Sequence, residues 1–391
     1  MVNPTFRLAD RAMQALYLLA LEPIAETTGD PNSYGFRRER SMADALQQCF
    51  NAVCRGKSAA WILEGDIKGC FDHISHDWML RRVPTDKRVL RKWLKAGYVE
   101  SRNRFPTEAG TPQGGILSPL LANIALSVIE ERYERHVSQR SSGSTRANAA
   151  PRDERARNAR HTDRRRGRTV VFPIRYADDF LLLVGASPGS DQHERARLDA
   201  EKEKAAVAEL LREQLGLELS EAKTRITPVT DVFPFLGHHV CVRHSRGFER
   251  MACVTLIPKE RSHRLRERIK GLCRRSRTGQ SLHDLLRDLN WLLRGWSAFY
   301  RHAWGAKRVL CSLDYYAWWA VFRWLRKKHQ HASVKALKAL YPPSRERGTR
   351  RGQWHHRGVT LYVSGLTKVG PYRHAWVRPP LFAIHQGEPG A

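Results

Sequence analysis

Tyr176-Ala177-Asp178-Asp179 lies between two apolar runs, Thr169 to Ile174 and Phe180 to Val184. Val170, Val171, Phe172 and Ile174 before it, and Phe180, Leu181, Leu182, Leu183 and Val184 after it, read as two β-strands. The tetrapeptide is then the tip of a hairpin. Two adjacent carboxylates at such a tip repel each other, and the crowding costs folding free energy. A cation that both can bind removes that cost. Phosphoryl-transfer enzymes use this arrangement to hold divalent metals in line with a nucleoside triphosphate. Alone, the tetrapeptide fits an ordinary acidic surface turn equally well.

A metal pair needs further carboxylate. Ala59 to Ile67 reads as a strand ending on an acid, which makes Asp66 the candidate third ligand on a strand beside the hairpin. Phe71, five residues on, would form a floor under a sugar ring. Taken singly, Asp66 reads as well as a strand-end acid, and Phe71 as a core aromatic. The third element is Gly110-Thr111-Pro112-Gln113-Gly114-Gly115, a loop whose glycines let a ligand approach the backbone. A helix follows, with Ser118 as cap and Pro119 at its first position. No Gly-Lys-Ser/Thr follows the loop, so it is not a Walker loop.

Together with Ser33-Tyr34-Gly35-Phe36-Arg37, Leu219-Ser220-Glu221-Ala222-Lys223-Thr224 and Phe235-Leu236-Gly237, these segments occur in an order that resembles group II intron reverse transcriptase/maturases. The resemblance covers roughly residues 4 to 330. It implies an α+β fold: a right-hand polymerase palm with partial fingers, followed by an α-helical thumb or maturase bundle. Asp66, Asp178 and Asp179 would hold two Mg²⁺ ions. Phe71 would exclude a 2′-hydroxyl, Gln113 would line the nucleotide pocket, and Lys223 would lie near the triphosphate as a proton donor to pyrophosphate. Arg37 and Arg40 would face the RNA template or the fingers, as residues that contact RNA, and Arg264, Arg268, Arg294 and Arg301 would contact RNA from the thumb. The implied activity is RNA-directed DNA polymerisation with assistance to splicing. The implied partners are intron RNA, an RNA template with a DNA primer, deoxynucleoside triphosphates and target DNA. The alternatives are an RNA-binding splicing factor without polymerase activity, or an inactive fragment. Family members usually carry tens of residues before the segment resembling Asp10 to Gln14, so the fingers are expected to be partial. The last 25 residues do not match the Cys/His-rich endonuclease with which many members end.

Composition agrees with a polyanion partner. The 391 residues carry 68 Lys+Arg against 39 Asp+Glu, a formal charge of +29, and such an excess opposes compaction unless neutralised. No run of 18 apolar residues, lipidation motif or signal-peptide cleavage site is present, which argues against a membrane. Seven cysteines without a Cys-x-x-Cys pair argue against structural zinc and a disulfide framework, and point to a reducing, cytoplasmic setting.

The chain divides into partial fingers (1–58), palm (59–256), helical thumb (257–330) and a basic tail (331–391). Helical spacing predicts one helix over residues 10–26, with a stripe of Met13, Leu16, Tyr17, Ala20, Leu21 and Ile24, and another from Ser41 to Val53. Residues 139–168 hold ten arginines against three acids and almost no large apolar side chain, and read as a flexible, solvated insertion, with a non-specific RNA-contacting arm as the functional alternative. Three apolar stripes past Gly237 predict a three-helix bundle, mostly core, decorated with arginines. The tail from 331 reads as a floppy end or a second RNA-contacting surface.

Overall fold

The computed structural model describes residues 3–4, 8–53, 59–100, 103–105, 107–111, 115–138, 160, 162–163, 165–185, 191–244, 251–344 and 352–372. The chain is α+β and divides into two compact units. One comprises Met1–Val232 with Val242–Cys253; the other comprises Phe233–Cys241 with Val254–Arg373.

The first unit is built on a four-stranded antiparallel sheet. Its strands are β1 (Trp61–Gly65), β2 (Val170–Tyr176), β3 (Asp179–Gly185) and β4 (Arg225–Pro228), in the order β2-β3-β1-β4. Strand β3 is central, and every residue from Phe180 to Gly185 is buried. This explains its unbroken apolar run, since a strand covered on both faces has no reason to alternate. Helices α1 (Leu8–Thr28), α2 (Met42–Val53), α3 (Cys70–His73), α4 (His76–Arg82), α5 (Lys87–Leu94), α6 (Ser118–Ser138) and α7 (Gln192–Leu215) complete the unit. Leu63, Phe180 and Leu182 from the sheet share a core with Leu121, Ala125 and Leu126 of α6 and with Val207, Leu211 and Leu215 of α7.

The helix starts follow capping chemistry. Ser41 Oγ accepts from the Asp44 amide while the Asp44 carboxylate accepts from the Ser41 amide, a reciprocal capping box. Asp86 caps α5 by accepting from the amides of Arg88 and Val89. Helix α1 corrects the expected stripe. Met13, Leu16 and Ile24 are exposed, and the inward face carries Gln14, Tyr17, Leu21 and Ala25. Apolar residues occur on both sides of this helix, so periodicity alone could not choose the buried face. A polar residue, Gln14, sits inward because its Oε1 accepts from the Ile116 amide.

The second unit contains β5 (Phe233–Phe235) and the paired start of β6 (His238–His244), with helices α8 (Lys259–Leu272), α9 (Leu282–Tyr300), α10 (Ala306–Lys328) and α11 (Val334–Leu340). The three predicted stripes do form one core, from Leu265 and Ile269 through Leu285, Leu286, Leu289 and Leu293 to Trp318, Phe322 and Trp324.

Of the two readings of the tail from residue 331, a floppy end does not fit the described residues, which pack on the helices. Its described residues close this core, with Leu337, Trp354 and Leu361 all buried in it. Asn290 on α9 binds both sides of the returning chain, donating to the Thr360 carbonyl at 2.7 Å and accepting from the Tyr362 amide at 2.7 Å. The Asp314 carboxylate accepts from the amides of Ser364 and Gly365, each at 2.6 Å. A few apolar residues suffice when a helix bundle offers a ready groove, which is why composition understated this segment. The insertion expected at 139–168 lies mostly outside the described residues, as does the tail beyond 372.

Candidate active site

Strand register assembles the acids. Tyr176 pairs with Asp179, which leaves Ala177-Asp178 as a two-residue turn between β2 and β3. Ala177 takes a φ of 58°, a conformation usually left to glycine or asparagine in hairpin turns. On the other side of β3, Gly65 pairs with Phe180. Antiparallel pairing continued by one residue sets Asp66 beside Asp179. The segment 218–224 fastens this end of β1: the Ser220 amide donates to the Asp66 carbonyl at 2.8 Å, and the Lys68 amide donates to the Glu218 carbonyl at 2.9 Å. Lys223 Nζ thereby reaches both Asp66 carboxylate oxygens, at 3.2 and 3.3 Å.

The electrostatics record the crowding. The Asp179 carboxyl is held above the ordinary carboxylate range, first by desolvation, then by the charges of Asp178 and Asp66, with Lys223 opposing. The neighbouring Cys70 thiol is pushed up to about 12, by burial and then by Asp178. Three carboxylates therefore bear on one another from segments over 100 residues apart. Among the described residues, no three Asp, Glu, His or Cys side chains close to metal-ligating distance; the Asp66 carboxylate instead holds Lys223. The donor set, all carboxylate oxygen with excess negative charge, suits a hard divalent cation.

Phe71 opens α3, half-buried, with its carbonyl accepting from the Thr111 amide at 2.6 Å. The backbone of the glycine loop touches this helix. A Cβ on Gly110 would lie 2.4 Å from the Asp72 carbonyl carbon. Gln113 lies outside the described residues.

Of the two settings expected for Arg37, the structure places it against the fingers segment and away from an open template face. Its side chain is 6% exposed, pairs with Glu26 at 2.7 Å and donates to the carbonyls of Asp30 and Ser33. A guanidinium so enclosed fastens the loop and has no face left for a template. Arg40 is half-buried, donates to the Pro31 carbonyl at 2.9 Å and lies 6.0 Å from the Tyr34 ring centroid. Burial, and then Arg37, lower its pKa to about 10. In the second unit Arg264, Arg268, Arg294 and Arg301 are all exposed. Arg294 lies over the Tyr362 ring at 5.2 Å, and Arg301 Nε donates to His302 Nε2 at 2.9 Å.

A network not anticipated from the sequence lies behind the turn. Arg175, 2% exposed, pairs with the equally buried Glu130 at 2.6 Å. Its Nη1 donates to Asn123 Oδ1 at 3.0 Å and to the Ala177 carbonyl at 3.1 Å. Asn123 Nδ2 in turn donates to the Gly35 carbonyl at 2.7 Å. The segment carrying Gly35 lies along β2, with the Tyr34 amide donating to the Arg175 carbonyl and the Arg175 amide to the Asn32 carbonyl. One guanidinium thus ties helix α6, the 32–35 segment and the acid-bearing turn together. The available signal was an arginine within an apolar strand and a glutamate within an apolar helix, two charges that burial obliges to pair.

Residues 4–240 match the family described as reverse transcriptase (RNA-dependent DNA polymerase), and residues 262–341 match the group II intron, maturase-specific domain. The chain belongs to the group II intron reverse transcriptase/maturase family. Among the relatives of this family member, protein YkfC of Escherichia coli (strain K12) is 34% identical over 267 residues, 65% of this chain and 66% of YkfC. Group II intron-encoded protein LtrA of Lactococcus lactis subsp. cremoris is 31% identical over 283 residues, 63% of this chain and 45% of LtrA. The chain therefore spans between about half and two thirds of these curated relatives. Apo telomerase from Candida tropicalis, truncated from the C-terminal domain, aligns with a TM-score of 0.38 and 12% identity over 59% of this chain and 43% of that one. Among the described residues no helix is long and apolar enough to cross a membrane.

Proposed function

We infer that this reverse transcriptase/maturase is an RNA-directed DNA polymerase that also binds intron RNA to assist splicing. The convergence of Asp66, Asp178 and Asp179 at the end of one antiparallel sheet carries the reading. A protein that only bound RNA would gain nothing from three mutually repelling acids. Two Mg²⁺ ions, when bound there, would lower the pKa of the primer 3′-hydroxyl and neutralise charge on the departing pyrophosphate. The protein's own part is positioning and charge. The three carboxylates hold the reacting end, Phe71 bounds the sugar, and Lys223 offers a proton and a positive charge to the leaving phosphates once its pairing with Asp66 is released. The substrates would be deoxynucleoside triphosphates on an RNA template with a DNA primer, with target DNA as the primer source. The exposed arginines of the second unit would contact RNA phosphates. The compartment would be the cytoplasm, in keeping with six described cysteines that form no disulfide.

Purified protein should extend a primed RNA in a Mg²⁺-dependent manner, and Asp178→Ala should lower the rate by on the order of 10² or more. Undiminished extension by Asp178→Ala refutes the assignment. The match of residues 262–341 to the maturase-specific domain supports the splicing role. Preferential binding would stabilise the folded intron, and that activity should survive Asp178→Ala.

A further inference from the structure

Two exposed or half-exposed aromatic rings face each other in front of the acid-bearing turn, and only Phe71 has been given a role. The other is Phe36. Its ring centroid lies 6.0 Å from that of Phe71 with the planes at 82°, an edge-to-face contact. Phe36 is 55% exposed and has a φ of 57°. A bulky side chain in the left-handed region is strained, and such strain persists only where the surroundings over-determine it.

Those surroundings are identifiable. The preceding residue, Gly35, runs so close to the turn that a Cβ would lie 2.3 Å from the Ala177 amide nitrogen. Its carbonyl is held by buried Asn123, which is itself held by Arg175. The backbone that presents Phe36 is thus bolted to the same guanidinium that holds the Ala177 carbonyl. Phe71 is fastened separately, through its carbonyl to Thr111. An apolar ring that buries little of itself, on a strained but fully tied backbone, contributes poorly to a core. What it does contact is the Phe71 ring.

We propose that Phe36 is a specificity-positioning residue: it braces Phe71, so that Phe71 excludes ribonucleotides from the site. This rests on the polymerase reading. Phe36 would act through Phe71 and without touching the nucleotide. An edge-to-face pair of this kind is worth roughly a 2- to 12-fold effect on an equilibrium between ring positions. Phe36→Ala should therefore lower the dATP-over-ATP ratio of kcat/KM in primer extension by roughly that factor, chiefly through faster ATP incorporation. In a Phe71→Ala background the same substitution should change nothing, because the braced ring is gone. Phe36→Leu, which keeps bulk, should fall between, and the melting temperatures of both Phe36 variants should stay near wild type because the ring is mostly in solvent.

An unchanged dATP-over-ATP ratio in Phe36→Ala overturns the proposal while leaving the polymerase reading intact. A further loss of selectivity on top of Phe71→Ala also overturns it, by showing direct contact. If the wild-type protein does not extend primers, the polymerase reading fails. The brace is then judged by calorimetric binding of dATP and ATP with Mg²⁺, where equal preference in wild type and Phe36→Ala rejects it.

Discussion

Replacing Arg175 by methionine removes the guanidinium at the centre of the network behind the acid-bearing turn and keeps most of its volume. Glu130 is then left buried without its partner. Its carboxyl already sits above the ordinary range because burial outweighs the opposing attraction of Arg175. Breaking a buried pair by removing one member costs about 3–5 kcal/mol. The Ala177 carbonyl and Asn123 Oδ1 also lose their donor, at ~1–3 kcal/mol for each acceptor that stays dry. Against a total of about 5–15 kcal/mol for a typical domain, this is a large loss. The measurement is urea denaturation of wild type, Arg175→Met and the double variant Arg175→Met/Glu130→Leu, each also tested for primer extension. The double variant leaves no buried charge, so it should recover the share of the loss that comes from the broken pair, while the cost of the two acceptors left without a donor remains. Its extension activity should not return, because nothing ties the Ala177 carbonyl to helix α6. A single-variant loss below about 1 kcal/mol would show that the pair is not desolvated as described. Recovery of activity together with stability in the double variant would show that the network holds the fold and not the turn.

Three further outcomes follow from neighbouring contacts. Gly35→Ala forces a methyl group into the backbone of Ala177; it should cost ~1–3 kcal/mol in denaturation and depress extension more than any substitution at exposed Arg264. Asp179→Asn should raise the metal-free melting temperature at pH 7. The folded carboxyl binds its proton more tightly than the unfolded one, so its penalty is fully present above its raised pKa, and the gap should close as pH falls towards the ordinary carboxylate range. His76 is buried with Nε2 2.8 Å from the Gly110 carbonyl, and its pKa is lowered, chiefly by desolvation. Its contribution is therefore present above about pH 6.5 and lost as pH falls below that value; His76→Gln should flatten the melting-temperature profile between pH 7 and pH 5.

Much of this site was legible in the chain. The hairpin read correctly because its two strands are apolar and its turn is not. Asp66 could be placed beside it because β1 ends where its apolar run ends. The three helices of the second unit were visible because leucines and aromatics recur at three- and four-residue steps. What misled was local reading of single segments. The resemblance of Ser33 to Arg37 to the family suggested a template or fingers role for Arg37, and could not show that three acceptors converge on its guanidinium. Helix α1 has apolar residues around most of its circumference, and only the position of Ile116 decides that Gln14 faces inward.

The order of charge and apolarity along the chain thus determined on its own that there would be an acid-tipped hairpin, an acid-ended strand and a basic helical unit, since strand period, helix period and net charge are properties of neighbours in sequence. The folded arrangement alone decided that Arg175 joins Glu130, Asn123, Gly35 and Ala177, and that Trp354 returns to the helical core. Apart from the bond to Ala177, these contacts join residues tens of positions apart, and their energy comes from desolvation, which no residue experiences until the chain has closed around it.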